Sequence, residues 1–124
     1  MAMTFQQQQT SVRTANGLDV LAGIWLIFAP FILGYSAVTA AVWNDIIVGI
    51  VVAVLAISRT TREGIKVAWP SWVNVVIGIW LIFAPFILGY SFVSAALWND
   101  IILGIIVAAL ATWGGVSTPG REEM

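Results

Sequence analysis

The chain contains no cysteine and no histidine. The first absence excludes disulfides, thiolate metal sites, iron–sulfur clusters and thiol nucleophiles. The second removes the usual general base, the commonest metal ligand and the usual axial ligand of haem. Charge is also scarce: Asp, Glu, Lys and Arg make up 9% of 124 residues, against about 25% in a typical soluble chain. A net charge of −1 leaves no basic footprint for nucleic acid. No nucleophile–base pair, phosphate-binding loop or metal-ligand set is visible, so the expectation is a protein that is not an enzyme and holds no cofactor.

What fills the sequence is apolar. Hydrophobic residues account for 60% of it, and the mean hydropathy is +0.99. A soluble domain of this length keeps much of its surface in water and has nowhere to hide so much hydrocarbon. Lipid is the expected solvent. The polar stretch 1–15, with its run Gln6 to Gln9, resembles no cleavable signal peptide and is expected to form a cytoplasmic tail.

The sequence repeats itself. Gly23 to Ser36 reads GIWLIFAPFILGYS, and Gly78 to Ser91 reads the same, 55 positions later. The match extends from Val42-Trp43-Asn44-Asp45-Ile46-Ile47-Val48-Gly49 to Leu97-Trp98-Asn99-Asp100-Ile101-Ile102-Leu103-Gly104. This is a duplication. Each copy holds two apolar stretches, 18–33 and 40–57 in the first, 73–88 and 95–112 in the second. A 17-residue helix reaches roughly 25 Å, near the short limit for a bilayer core of about 30 Å. The expected fold is all-α and integral to the membrane: four transmembrane helices as two tandem, parallel two-helix hairpins. The expected divisions are a tail over 1–15, repeat 1 over 16–57, a cytoplasmic linker over 58–71, repeat 2 over 72–113 and a cytoplasmic tail over 114–124.

Orientation follows from the basic residues. Arg13, Arg59, Arg62, Lys66 and Arg121 all fall in the tails and the linker, and the short loops 35–39 and 90–94 carry none. The positive-inside rule then places both termini in the cytoplasm, in a cell (inner) membrane. Parallel hairpins are related by a pseudo-two-fold axis along the membrane normal.

The pattern Gly-x-Trp-Leu-x-x-x-Pro-x-x-Leu-Gly-Tyr-Ser, followed by Trp-Asn and a glycine five residues beyond the asparagine, resembles the SPW-repeat family of bacterial and archaeal membrane proteins. The resemblance covers both repeats. The tripeptide that names the family reads Ala29-Pro30-Phe31 and Ala84-Pro85-Phe86 here, so the proline is kept and the serine and tryptophan are not. The resemblance implies two-helix membrane repeats and no particular activity.

Several residues stand out against this background. Pro30 and Pro85 are expected to kink their helices, or to break them after Phe28 and Phe83. Gly49 and Ala53 follow Asp45 at i+4 and i+8, as Gly104 and Ala108 follow Asp100, giving each helix a small-residue face for close packing. Asn44, Asp45, Asn99 and Asp100 form the candidate polar site within the membrane. Brought together by the pseudo-symmetry, they could hold a hard cation or share a proton. The favoured alternative is that each aspartate sits in the first turns of its helix and complements the dipole. Asp19, aligned with Asn74, reads as an interfacial polar residue. Ser71 reads as an N-cap, and the tryptophans as interfacial anchors. The linker segment 59–66 could touch anionic lipid heads.

The leading functional expectation is a membrane scaffold, self-associating or an accessory subunit of a larger complex. Its partners would be lipids, itself or other membrane subunits. A small oligomeric transporter or channel using the Asn-Asp pairs is the alternative, and a pigment- or quinone-binding subunit comes third.

Overall fold

The computed structural model describes residues 4–61 and 63–118. Within them the chain forms four helices, α1 (Phe5–Ile32), α2 (Thr39–Ser58), α3 (Trp69–Ile87) and α4 (Ser94–Val116), with a 3-10 turn at Gly64–Lys66. All four are long and apolar enough to cross a membrane. α1 packs along α2 and α3 along α4, and the two hairpins meet mainly through α1 and α4.

α1 starts well before the expected boundary at residue 16. Thr4 and Gln7 form a capping box: the Thr4 hydroxyl accepts from the Gln7 amide at 3.1 Å, and the Gln7 side chain accepts from the Thr4 amide at 2.8 Å. Two of the free N–H groups of the first turn are satisfied in this way. Val12 and Ala15 are buried, so residues 5–15 extend a packed helix and are not a tail. At 28 residues, α1 is about 42 Å long and exceeds the hydrocarbon thickness. At the other end α4 runs to Val116, three residues past the expected end of repeat 2 at 113. Arg62, Arg121 and the rest of the expected C-terminal tail beyond Thr118 lie outside the described residues.

Pro30 and Pro85 do not break their helices, which continue to Ile32 and Ile87. Each proline removes one bond from the ladder, but the last turn closes behind it. The Leu33 amide donates to Ala29 and the Tyr35 amide to Pro30; Leu88 and Tyr90 repeat this on Ala84 and Pro85. The six-to-one bond requires a left-handed residue between, supplied by Gly34 at φ 84° and Gly89 at φ 83°. The chain therefore turns over in a few residues and fixes Tyr35 and Tyr90 just beyond the turn.

Within each hairpin the helices touch backbone to backbone. A Cβ on Gly23 would lie 2.6 Å from the Gly49 carbonyl, and one on Gly49 would lie 2.5 Å from the Gly23 carbonyl. Gly78 and Gly104 are packed the same way at 2.7 and 2.5 Å, with Ala53 and Ala108 alongside. The small-residue faces thus close each hairpin on itself. Between the hairpins lies a core of Leu26, Val48, Val52, Leu81, Leu103 and Val107. Outside, the apolar side chains are exposed in matching pairs such as Phe28 and Phe83, Phe31 and Phe86, Trp43 and Trp98.

Candidate functional site

In lipid the hydrophobic effect does little to hold helices together, because lipid tails are as apolar as leucine; packing and interhelical hydrogen bonds must do it. The polar side chains near the hairpin tips are arranged accordingly. Trp25 of α1 donates its indole N–H to Asn99 Oδ1 of α4 at 2.8 Å. Asn99 Nδ2 donates to the Tyr35 hydroxyl at 3.0 Å, and Tyr35 donates to Asp45 Oδ2 of α2 at 2.5 Å. The second copy repeats the sequence of bonds. Trp80 donates to Asn44 Oδ1 at 2.9 Å, Asn44 Nδ2 to the Tyr90 hydroxyl at 3.0 Å, and Tyr90 to Asp100 Oδ2. Each relay draws its tryptophan, tyrosine and aspartate from one repeat and its asparagine from the other. The asparagines cross over, so neither hairpin completes its relay alone.

The structure brings the four sequence-predicted residues, Asn44, Asp45, Asn99 and Asp100, into this one cluster. It does not place the aspartates at helix starts. α2 begins at Thr39 and α4 at Ser94, with no acidic residue in either first turn. Asp45 and Asp100 are fully buried two turns in, and their hydroxyl donors are tyrosines. Burial, reinforced by the aspartate each one donates to, holds the Tyr35 and Tyr90 phenols far above their usual range, so both remain donors. Tyr35, Tyr90, Trp25 and Trp80 were missed in the sequence as site residues. A signal was available for two of them: Tyr35 and Tyr90 are the chain's only tyrosines, and both sit in the duplicated motif.

A second polar layer lies at the opposite end of the bundle, where the linker crosses. Arg59, expected from sequence in a cytoplasmic linker that could touch lipid heads, is fully buried. Its guanidinium donates five hydrogen bonds, to the carbonyls of Gly64, Ile65 and Gly114 and to the hydroxyls of Ser71 and Thr118. Burial pushes it down to about 10, so it stays charged at neutral pH. Ser71 is therefore not an N-cap. Ala68 precedes α3, with Pro70 in its first turn, and Ser71 points inward to Arg59. Asp19 faces the inside of the bundle: it is buried, and neither carboxyl oxygen has a hydrogen-bond partner. Its counterpart Asn74 donates to the Val52 carbonyl at 3.2 Å.

Among the described residues, no group of three or more Asp, Glu, His or Cys is gathered as a metal site. The family described as SPW repeat domain matches this chain over residues 13–114, both hairpins together. No curated protein and no solved structure matches it.

Proposed function

The chain belongs to the SPW repeat family, and from that premise we propose that this multi-pass membrane protein is a non-enzymatic scaffold, self-associating or an accessory subunit of a larger complex. The observation that carries the proposal is the crossed relay. The side chains best suited to bind or react are bonded to one another across the two hairpins. Their arrangement favours holding a shape over turning over a substrate. What remains for a partner is the outside. Its exposed aromatic and aliphatic side chains come in pairs 55 positions apart, which suits symmetric association. An apolar groove between α1 and α4, walled by Leu18, Leu21, Ile106 and Leu110, gives one place for a partner helix or a lipid chain.

A channel through a single chain is disfavoured. The tip cluster is separated from Asp19 and Asn74 by the core of Leu26, Val48, Val52, Leu81, Leu103 and Val107, a layer with no polar side chain to carry an ion. In the proposed setting, a cytoplasmic (inner) membrane, the end with both termini faces the cytoplasm, because Arg13, Arg59 and Lys66 all lie there.

The test is the native mass of the protein extracted gently from its own membrane, with identification of whatever travels with it. Stoichiometric membrane subunits, or a defined homo-oligomer, are the expected results. A bare monomer with no partner at any mild detergent condition would defeat the proposal.

A further inference from the structure

The relays end on a pair of carboxyl groups, and counting donors there leaves one short. Asp45 Oδ2 and Asp100 Oδ2 each take a tyrosine hydroxyl. Asp45 Oδ1 has only the long contact from Asn44 Nδ2 at 3.4 Å. Asp100 Oδ1 is buried and receives no N–H or O–H donor. The two buried aspartates, one from each repeat, share one cluster: Asn44 Nδ2 reaches both Asp45 Oδ1 and the Tyr90 hydroxyl that donates to Asp100. Two carboxylates cannot bond to each other there, because neither has a hydrogen to give.

No positive charge is at hand to reconcile them. α1 and α3 send the neutral Trp25 and Trp80 to the cluster, the tips send the protonated Tyr35 and Tyr90, and α2 and α4 add Asn44 and Asn99. The described basic residues, Arg13, Arg59 and Lys66, all sit at the other end of the bundle. Asp19 of α1, the other buried carboxyl, lies below the Gly23–Gly49 contact, on the order of 10 Å down the axis. Like charges this close, without a counter-ion and out of water, do not both persist.

The geometry points to Asp45 and Asp100 as a binding site for a single proton, held between the two carboxyls across the interface of the hairpins. The reaction is the association of one H⁺ with one of two carboxylates, giving one carboxylic acid that donates to the remaining carboxylate; no other bond changes. Such a site gives the assembled bundle one exchangeable proton and one negative charge, where two free aspartates would carry two charges. It goes beyond a scaffold role and stands or falls separately from it.

Infrared spectroscopy of the full chain in lipid reads the proton directly, through the C=O stretch of a protonated carboxyl. The measurement is made on Asp19→Asn, so that only the pair contributes buried aspartates. That substitution installs the residue found at the equivalent position 74. Carbon-13 at the aspartate side-chain carboxyls separates the signal from the glutamates and needs no further variant. The expected spectrum at neutral pH has one protonated aspartate per chain, shifted by the label and by deuterium exchange. It should be lost in Asp19→Asn/Asp45→Asn and in Asp19→Asn/Asp100→Asn, where an amide replaces the acid as donor. Zero or two protonated aspartates per chain would overturn the assignment. So would a band that appears only after sodium and potassium are removed, since a cation would then be the native occupant.

Discussion

Tyr35 and Tyr90 make the clearest test at the scale of single residues. Both phenols are buried and held far above the ordinary value of 10.0. The sign is that of a group protonated in the folded state and free to ionise in the unfolded one. Its contribution is fully present below pH 10 and is lost as pH rises from there toward the folded value. An alkaline titration should therefore show no tyrosinate absorption while the bundle is folded, and both tyrosines together when it unfolds. Tyr35→Phe/Tyr90→Phe should flatten the alkaline loss of stability. The close glycines give a second test. Gly49→Ala and Gly104→Ala place a methyl into backbone at 2.5 Å, and each should cost about 1–3 kcal/mol in reversible unfolding from detergent. Gly17 has nothing within 4 Å of an added Cβ. Gly17→Ala should instead stabilise the helix by about 0.5–1 kcal/mol.

At the scale of the element, α1 differs from the other three. Its repeat partner α3 is 19 residues long, and α1 is 28. The extra turns precede the duplicated segment. They are begun by the Thr4–Gln7 box and held by Val12 and Ala15. Thr4→Ala should cost about 0.5–2 kcal/mol locally and appear as faster amide exchange over the first turns of α1, with the tip cluster unaffected. Equal exchange in both proteins would mean that the box contributes nothing to this end. The prolines show why a helix breaker is a weak guide near a helix end. Pro30 and Pro85 stand two residues before the last helical residue, where the six-to-one bond over Gly34 or Gly89 closes the turn regardless.

The whole molecule departs from its own symmetry at the end where α1 begins and α4 ends. Position 114 is the repeat equivalent of Arg59, and there the chain has glycine. A Cβ on Gly114 would stand 2.7 Å from Asn16 Nδ2 and 3.4 Å from Ser71 Oγ, and its carbonyl accepts from Arg59. One guanidinium thus ties the linker, the start of α3 and the end of α4 together. Arg59→Lys keeps the charge but cannot reproduce a planar set of five donors. Hydrogen bonds to a charged group contribute about 1.5–3 kcal/mol each. The variant should therefore lose at least about 2 kcal/mol and become open to proteolysis between α2 and α3. Unchanged cleavage would show that the linker is held by other contacts. The tip end, by contrast, keeps its symmetry, because each relay needs the asparagine of the other repeat.

Composition and periodicity were enough to point to lipid as the solvent and to four helices, because four such apolar stretches in a chain with 9% charged residues leave little polar surface for water. The duplication determined that contacts would come in pairs, and the i, i+4 spacing of Asp45, Gly49 and Ala53 placed them on one helix face. Those are local properties of the chain. The crossing of Asn44 and Asn99 between repeats, the burial of Arg59 and the gathering of Asp45 and Asp100 into one cluster were decided only by the tertiary structure. Each joins side chains on separate helices. Spacing along a sequence fixes which face a residue occupies, and only the docking of one hairpin on another determines what that face meets.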